Sequence, residues 1–200
     1  MKYLIILSTL FVSGSILGWL LEVFFRRFAT QKKWVNPGFL IGPYLPIYGI
    51  GTMILFAISN LDTNIQALWL DSIIRIILIG IAMTVIEFIT GIIFMKIGNI
   101  KLWDYSDKKG NVMGIICPIY SLFWLIIGSL YYFFLNNLFL HAIDFIVRNL
   151  IYAYFIGAVI GAIAVDLCYS THLATKLKKL NKNRTIRFEE LKAKFKKKDI

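Results

Sequence analysis

The sequence contains few of the residues that build metal or redox sites. Its 200 residues include two cysteines, Cys117 and Cys168, and two histidines, His141 and His172. Each cysteine lies within an apolar run and no Cys-x-x-Cys pair occurs, so we interpret both as small buried hydrophobic residues. Neither histidine is accompanied by a second set of metal ligands. The sequence therefore predicts no metal and no cofactor.

Acidic residues are also few, and the excess positive charge is unevenly distributed. The chain has 11 Asp and Glu against 22 Lys and Arg, for a net charge of +11. Residues 171–200 hold eleven basic and three acidic side chains, so this segment alone carries +8. A basic tail behind apolar segments is typical of the cytosolic end of a membrane protein. We do not expect nucleic-acid binding.

Apolar residues, in contrast, are abundant and occur in long blocks. Hydrophobic residues make up 58% of the chain and aromatic residues 16%, with a mean hydropathy of +0.73. Five blocks reach about 20 residues, the length that crosses a bilayer core. We predict an all-α integral membrane protein with a membrane domain at 1–170 and a basic cytoplasmic tail at 171–200. Its five transmembrane helices are predicted at about residues 4–25, 39–58, 72–95, 112–135 and 145–169.

Lysine and arginine counts between these blocks predict the orientation. The first and third loops carry four basic residues each, whereas the second loop has none and the fourth only Arg148. Basic residues accumulate on the cytoplasmic side of short loops. We therefore predict that the N-terminus lies outside and the C-terminus in the cytoplasm. No A-x-A-like cleavage site ends the first block, so we interpret it as a helix rather than a removed signal peptide.

A short phrase occurs twice in the chain. Residues 42–49 read GPYLPIYG and residues 114–121 read GIICPIYS. Each is preceded by a glutamate, a basic loop with a tryptophan, and an asparagine: Glu22, Trp34 and Asn36 in one case, Glu87, Trp103 and Asn111 in the other. We predict two parallel two-helix repeats, at about 4–60 and 70–135, plus a fifth helix at about 145–170. Chance similarity between apolar segments is the alternative.

Prolines mark the start of the second and fourth predicted helices. Pro43, Pro46 and Pro118 lie in the first two turns of these helices, where a missing amide costs little. One interpretation is a tolerated kink. The other is a partly unwound helix start whose unpaired amides face the cytoplasmic leaflet.

Three carboxylates lie in the cytoplasmic halves of predicted helices, where burial of charge is costly. Glu22, Glu87 and Asp166 come from three different helices at similar depth, which predicts one shared polar pocket. Either they accept hydrogen bonds from the unpaired amides of the helix starts, or they bind a cationic group or a proton. The residues leave both roles open.

The stretch LWDYS adds aromatic and acidic side chains next to this pocket. Trp103 and Tyr105 suit a headgroup-level aromatic belt. Alternatively, Asp104, Asn111 and Asn36 line the mouth of the pocket. The candidate pocket residues are Trp19, Glu22, Asn36, Pro46, Tyr48, Glu87, Trp103, Asp104, Tyr105, Asn111, Pro118, Tyr120 and Asp166.

Two further segments favour association with partners or lipid. Gly157 and Gly161 form a small-xxx-small pattern, which permits close helix packing within the chain or in a homo-oligomer. The tail at 171–200 is either a basic amphipathic helix on the inner leaflet or a solvated positive segment.

The phrases SGSILGWLLEVFF, WVNPGFLIGPYLPIYG and KLWDYSDKKGNVMGIICPIYSLFW resemble the ABC-transporter type IV family, also called CmpB-like. The resemblance covers residues 4–135. The positions that carry it are Trp19, Glu22, Asn36, Pro37, Gly38, Pro46, Tyr48, Trp103, Asp104, Tyr105, Ser106, Asn111 and Gly114. It implies a small integral protein of the bacterial inner membrane that is permease-like.

Three functions fit these features. We favour a transport-related, permease-like subunit, for which the missing phrase Gly-x-x-x-x-Gly-Lys-[Ser/Thr] requires a separate ATPase partner. A non-catalytic membrane scaffold or regulator is one alternative. The other is an intramembrane enzyme acting on lipid headgroups, with Glu22, Glu87, Asp104 and Asp166 as its acid/base or metal-binding set.

Overall fold

The computed structural model describes residues 2–30, 32–98 and 101–172, so residues 173–200 of the predicted basic tail lie outside the described residues. Within these ranges the fold is helical and contains no strand. The six α-helices of the described residues are α1 (Lys2–Phe25), α2 (Pro46–Ser59), α3 (Leu68–Ile93), α4 (Pro118–Leu130), α5 (Asn136–Arg148) and α6 (Ile151–His172). π-helical turns extend α1, α3 and α4 over Arg26–Thr30, Phe94–Gly98 and Tyr131–Leu135.

In the part of the chain that the structure describes, four helices are long and apolar enough to cross a membrane. They are Lys2–Ala29, Leu68–Lys96, Pro118–Arg148 and Ile151–His172. Helix α2 has 14 residues, which is about 21 Å at 1.5 Å per residue. That is shorter than a hydrocarbon core of about 30 Å. The predicted all-α membrane architecture is confirmed, with four helices of spanning length in the described part of the chain.

The predicted starts of the second and fourth helices were wrong. Helix α2 begins at Pro46 rather than at residue 39, and α4 begins at Pro118 rather than at residue 112. In both cases the preceding residue is extended, Leu45 with φ −123° and Cys117 with φ −153°. Proline disfavours the helical region for the residue before it and fits the first helical position. Each proline thus starts its helix instead of kinking it.

The boundary between the predicted fourth and fifth helices was also wrong. Helix α4 continues through the π-helical turn Tyr131–Leu135 into α5, so one helix runs from Pro118 to Arg148. The polar residues of α5 suggested a loop, but its apolar face inserts Phe139 and Ile143 into the core. Helix α6 begins at Ile151 rather than residue 145. Helix α3 begins at Leu68, one turn before the predicted residue 72.

Small residues bring neighbouring helices into close contact. In the α1–α2 pair, a Cβ on Gly18 would overlap the Tyr48 side chain, and a Cβ on Gly49 would overlap Ser15. In the α3–α4 pair, Gly80 faces Leu125 and the Thr84 hydroxyl donates to Ser121 Oγ over 3.1 Å. Backbones that approach this closely gain dispersion contacts, which drive helix association in a membrane. The chain therefore forms two tightly packed helical hairpins.

A buried arginine fastens the end of α2 to the start of α3. The Arg75 residue is only 7% exposed. Its Nε donates to Asp71 Oδ2 over 2.7 Å, and its terminal nitrogens donate to the carbonyl oxygens of Ile58, Ser59 and Leu61. The last carbonyls of a helix have no partner within that helix. Arg75 supplies their donors and thereby closes the α2–α3 connection.

Helix α6 packs loosely against the rest of the described chain. Its buried Ile163 contacts a small cluster with Leu40 and Tyr44. A Cβ placed on Gly157 or Gly161 would meet no atom within 4 Å. The predicted homo-oligomer through these glycines stays a prediction.

Replacing Gly18 by Ala should destabilise the α1–α2 hairpin by about 1–3 kcal/mol, because the new methyl group overlaps the Tyr48 side chain. Gly157→Ala is the matched control. That methyl group enters open space, so its main effect is the helix propensity of Ala, a gain of roughly 0.5–1 kcal/mol. Thermal unfolding in detergent, followed by circular dichroism, measures both. Equal midpoints for the two variants would contradict the close α1–α2 contact.

Arg75→Met should lower the melting temperature by more than about 5 °C, because it leaves Asp71 and three carbonyls without their donor. Arg148→Met removes a similar i,i+4 ion pair, with Asp144, in which both side chains are exposed. Such exposed pairs contribute little to stability. In the same assay, the melting temperature of Arg148→Met should therefore equal that of the parent protein within error. An unchanged melting temperature for Arg75→Met would refute the role of Arg75 in joining α2 to α3.

Candidate functional site

A cavity of about 690 Å³ lies between the two helical hairpins. Both hairpins contribute walls, α1 and α2 on one side and α3 and α4 on the other. Part of the loop at 101–108 and the chain before α2 complete the lining. The volume falls within the range of small-molecule sites, roughly 300–1,000 Å³.

Glu22 forms the acidic group of the first wall. Its Oε1 accepts a hydrogen bond from Arg26 Nε over 3.1 Å, one helical turn later on the same face. Its Oε2 accepts from the Tyr48 hydroxyl over 3.0 Å. Tyr48 reaches Glu22 because Gly14 and Gly18 leave room for α2 against α1. The tyrosine of the first repeated phrase is thus fixed to the glutamate of α1.

Glu87 forms the acidic group of the opposite wall and is 4% exposed. Its Oε1 accepts from the Tyr105 hydroxyl over 3.0 Å, and its Oε2 accepts from Trp124 Nε1 over 2.9 Å. The tyrosine of the second repeated phrase, Tyr120, stacks on Tyr105 with ring centroids 4.2 Å apart. Both donors to Glu87 are uncharged.

Aromatic rings connect the two glutamates across the cavity. Tyr48 and Trp124 have ring centroids 5.7 Å apart, so the two residues that donate to Glu22 and to Glu87 are in contact. Phe123 extends the surface, with its ring 5.8 Å from Tyr120 and 6.4 Å from Phe25. A connected aromatic surface therefore lines the cavity between the two carboxylates.

The loop at the rim is held by charged groups. Lys101 Nζ lies 2.6 Å from Asp104 Oδ1, and the Ser106 amide and hydroxyl also donate to that oxygen. The Lys101 ammonium has the largest effect and the two Ser106 bonds the next largest, and together they hold the pKa of Asp104 well below its usual range. Lys108 is paired with Asp107 over 2.8 Å. The rim therefore consists of ion pairs rather than single charges.

Tyr105 is a stable hydrogen-bond donor within this loop. Its burial, and then the nearby Glu87 carboxylate, raise the pKa of the Tyr105 phenol well above its ordinary value. A phenol with a raised pKa stays protonated at neutral pH, so it continues to donate to Glu87. The loop itself is folded by the bond from the Tyr105 amide to the Gly114 carbonyl and by the bond from Trp103 Nε1 to the Ile115 carbonyl.

The non-helical segment 38–45 forms the other side of the rim and is held by Asp166 of α6. Asp166 Oδ2 accepts from the Gly42 amide and the Tyr44 hydroxyl, both over 2.8 Å. Its Oδ1 accepts from the Ile41 amide over 3.2 Å and from the Ser170 hydroxyl over 2.8 Å. Asp166 is therefore saturated with donors.

Asn36 holds the same segment from its start. Its Nδ2 donates to the carbonyl oxygens of Leu40 and Ile41 over 2.9 and 3.0 Å. Its Oδ1 accepts from Trp19 Nε1 over 2.9 Å and from the Gly38 amide over 3.3 Å. The Asn36 side chain thus supplies hydrogen-bond partners for several backbone groups that have none in a helix.

The structure brings seven of the thirteen predicted pocket residues to the cavity and places the other six outside its lining. Asp166 binds segment 38–45, so it is not a third carboxylate of the cavity beside Glu22 and Glu87. The residues at the cavity are Glu22, Tyr48, Glu87, Trp103, Asp104, Tyr105 and Tyr120. The residues outside the lining are Trp19, Asn36, Pro46, Asn111, Pro118 and Asp166. Across residues 2–30, 32–98 and 101–172, no set of three His, Cys, Asp or Glu is arranged to bind a metal.

Sequence reasoning missed Trp124, which donates to Glu87, and Phe123, which lines the cavity beside it. A signal was present, because Trp124 follows Tyr120 by four residues and so shares its helix face. The two tryptophans that the sequence pairs across the predicted repeats differ in position. Trp103 lines the cavity, whereas Trp34 is exposed and packs on Phe24 and Phe28.

The family model described as "Putative ABC-transporter type IV" matches residues 9–171. The chain belongs to this family. The match extends the resemblance carried by the two repeated phrases through α5 and nearly all of α6. Comparisons with curated proteins and with solved structures gave no match. Family membership and the four long apolar helices identify a membrane protein of a transporter-type family.

Asp166→Asn should loosen segment 38–45, because an amide nitrogen cannot accept from the donors that one carboxylate oxygen now satisfies. A hydrogen bond to a charged group contributes about 1.5–3 kcal/mol. We therefore expect amide hydrogen exchange in peptides covering 38–46 to accelerate at least about tenfold. Mass spectrometry of the purified protein measures it. Asp144→Asn, at an exposed position of α5, is the control. Unchanged exchange in folded Asp166→Asn would refute the anchoring role.

Proposed function

We propose that this chain is a permease-like subunit of a membrane transport system and that the cavity between its hairpins is the ligand site. One observation carries the proposal: Glu87, at 4% exposure, lines a cavity of about 690 Å³ inside a membrane helix bundle. Ionisable residues within membrane helices are costly and usually serve function. Membership in a transporter-type family supports the same conclusion.

The cavity faces the cytoplasmic leaflet in this proposal. Arg26, in the π-helical turn that ends α1, and Lys101 and Lys108, in the loop before α4, lie at its rim. Basic residues in short loops mark the cytoplasmic side. The N-terminus then lies outside, the C-terminus lies in the cytoplasm, and the membrane is the bacterial cytoplasmic membrane.

Five crossings follow if segment 38–45 completes the short helix α2. Non-helical backbone at membrane depth is tolerated only where protein or a cavity surrounds it. The polar groups of this segment find partners in Asp166, Asn36 and the Ser15 carbonyl, which accepts from the Leu45 amide over 2.9 Å. Because these backbone groups have hydrogen-bond partners, segment 38–45 and α2 together can form the second membrane crossing.

The two hairpins form parallel repeats in this proposal. Each pairs a glutamate of its first helix with a tyrosine or tryptophan donor from the other half of the hairpin. Each first helix ends in a π-helical turn, Arg26–Thr30 or Phe94–Gly98, and each second helix starts at a proline. Each asparagine before the repeated phrase bonds nearby backbone, Asn36 to Leu40 and Asn111 to Gly114.

An ATPase partner is the energy source that we propose for transport, because this sequence has no P-loop. We expect the tagged chain, purified in mild detergent from its native host, to carry a P-loop ATPase in a near-stoichiometric amount. Proteomics of the eluate identifies it. The partner docks on the loops at the basic end of the molecule.

A charge-reversal pair tests this docking. Lys109→Glu, on the exposed loop before α4, should reduce recovery of the ATPase several-fold. Arg148→Glu makes the same change at the far end of the α4–α5 helix and should leave recovery unchanged. If no ATPase accompanies the parent protein, the permease proposal fails and a scaffold or regulator becomes the better hypothesis.

A further inference from the structure

The charges around the cavity do not cancel. Four of the lining residues are acidic, Glu22, Glu87, Asp104 and Asp107, and three are basic. Each basic residue lies within 3.1 Å of a carboxylate other than Glu87: Arg26 near Glu22, Lys101 near Asp104, and Lys108 near Asp107. One carboxylate is thus left without a cationic partner.

That carboxylate is the most buried of the four. Across the described ranges, no Lys, Arg or His nitrogen lies within 4.0 Å of Glu87. A carboxylate offers about four acceptor positions, and Glu87 fills two of them, with Tyr105 and Trp124. A buried charge is stable when it is paired. The cavity that borders Glu87 is where a cation can supply the missing pair.

The remaining surface of the cavity suits a cation that carries alkyl groups. Trp124 and Tyr105 both donate to the Glu87 carboxylate. The Trp124 ring lies 5.7 Å from the Tyr48 ring, and the Tyr105 ring stacks on Tyr120 at 4.2 Å, each measured between centroids. Aromatic faces attract cations, with tryptophan the strongest, and cages of such rings recognise quaternary ammonium groups. A strongly hydrated metal ion would instead require oxygen ligands in place of rings.

We propose that the cavity binds an organic ammonium group, with the cationic nitrogen between Glu87 and the faces of the surrounding tyrosine and tryptophan rings. An organic ammonium group would be the ligand class of the proposed transport site. The proposal rests on the proposed function only in assuming that this cavity is the ligand site. The same chemistry is offered by a free ammonium compound and by the headgroup of a lipid.

Choline is the probe for the first experiment. Purified full-length protein in a maltoside detergent, which carries no ammonium group, is titrated with radiolabelled choline in a scintillation proximity assay. We expect saturable binding that Glu87→Gln weakens at least about tenfold. Asp144→Asn removes one carboxylate outside the cavity and should bind like the parent. Equal binding by parent and folded Glu87→Gln would overturn the proposal.

A neutral isostere tests the charge without any substitution. The compound 3,3-dimethyl-1-butanol has the shape of choline with a carbon in place of the charged nitrogen. It should compete with choline at least about tenfold more weakly than unlabelled choline does, because it lacks the charge that Glu87 and the rings attract. Equal competition would mean that the cavity recognises only apolar shape, and it would overturn the proposal.

Nanodiscs of two compositions distinguish the sources of the ammonium group. If a lipid headgroup occupies the site, choline binding should be at least several-fold weaker in phosphatidylcholine discs than in phosphatidylglycerol discs. Equal binding in both would assign the site to a free compound, and either result supports the ammonium site.

The ligand class and the transport function can fail separately. Choline binding without an ATPase partner would refute the transport proposal alone, whereas an ATPase partner without choline binding would refute only the ligand class.

Discussion

Backbone amides and carbonyls outside helices need other hydrogen-bond partners wherever they are removed from water. This constraint determines the structure of the first half of the molecule. Segment 38–45 is non-helical, so its amides and carbonyls need other partners. Asn36 and Asp166 supply them from opposite ends of the chain. Helix α6 is thereby fastened to the first hairpin by hydrogen bonds, although few of its own side chains are buried.

The position of the cavity follows from this arrangement and from the small residues of the hairpins. Segment 38–45 leads into α2, which starts at Pro46 and presents Tyr48 in its first turn. Gly18 then admits the Tyr48 ring against α1, where its hydroxyl reaches Glu22. On the other side, the folded loop carries Tyr105 to Glu87. The cavity is the space that remains between these two independently fixed walls.

The sequence was most informative where local patterns decide the structure. Long apolar blocks predicted the positions of α1 and α3 within a few residues. Intramembrane carboxylates and motif tyrosines pointed to Glu22, Tyr48 and Glu87, which line the cavity. These features are visible because charge in an apolar run is costly. Proline chemistry could also have placed the start of α2 correctly, since the residue before proline avoids the helical region.

Contacts between distant parts of the chain were beyond local patterns. The bonds from Asp166 to the Ile41 and Gly42 amides join positions more than 120 residues apart. Nothing near residue 166 indicates which amides it will meet. Helix α5 was hidden for a related reason, because its polar residues resemble a loop until the fold shows that Phe139 and Ile143 face the core.

Glu87 of α3 and Asp166 of α6 are held in different ways inside one membrane protein. Asp166 accepts from four donors and lies outside the cavity lining, so the two amides and two hydroxyls that it satisfies explain its position. Among the described residues, Glu87 accepts from two side-chain donors and from no backbone amide, and it borders the cavity. A carboxylate that serves only the fold gains stability from saturation with donors. The incomplete saturation of Glu87 beside an aromatic cavity is therefore what directs the functional interpretation to this residue.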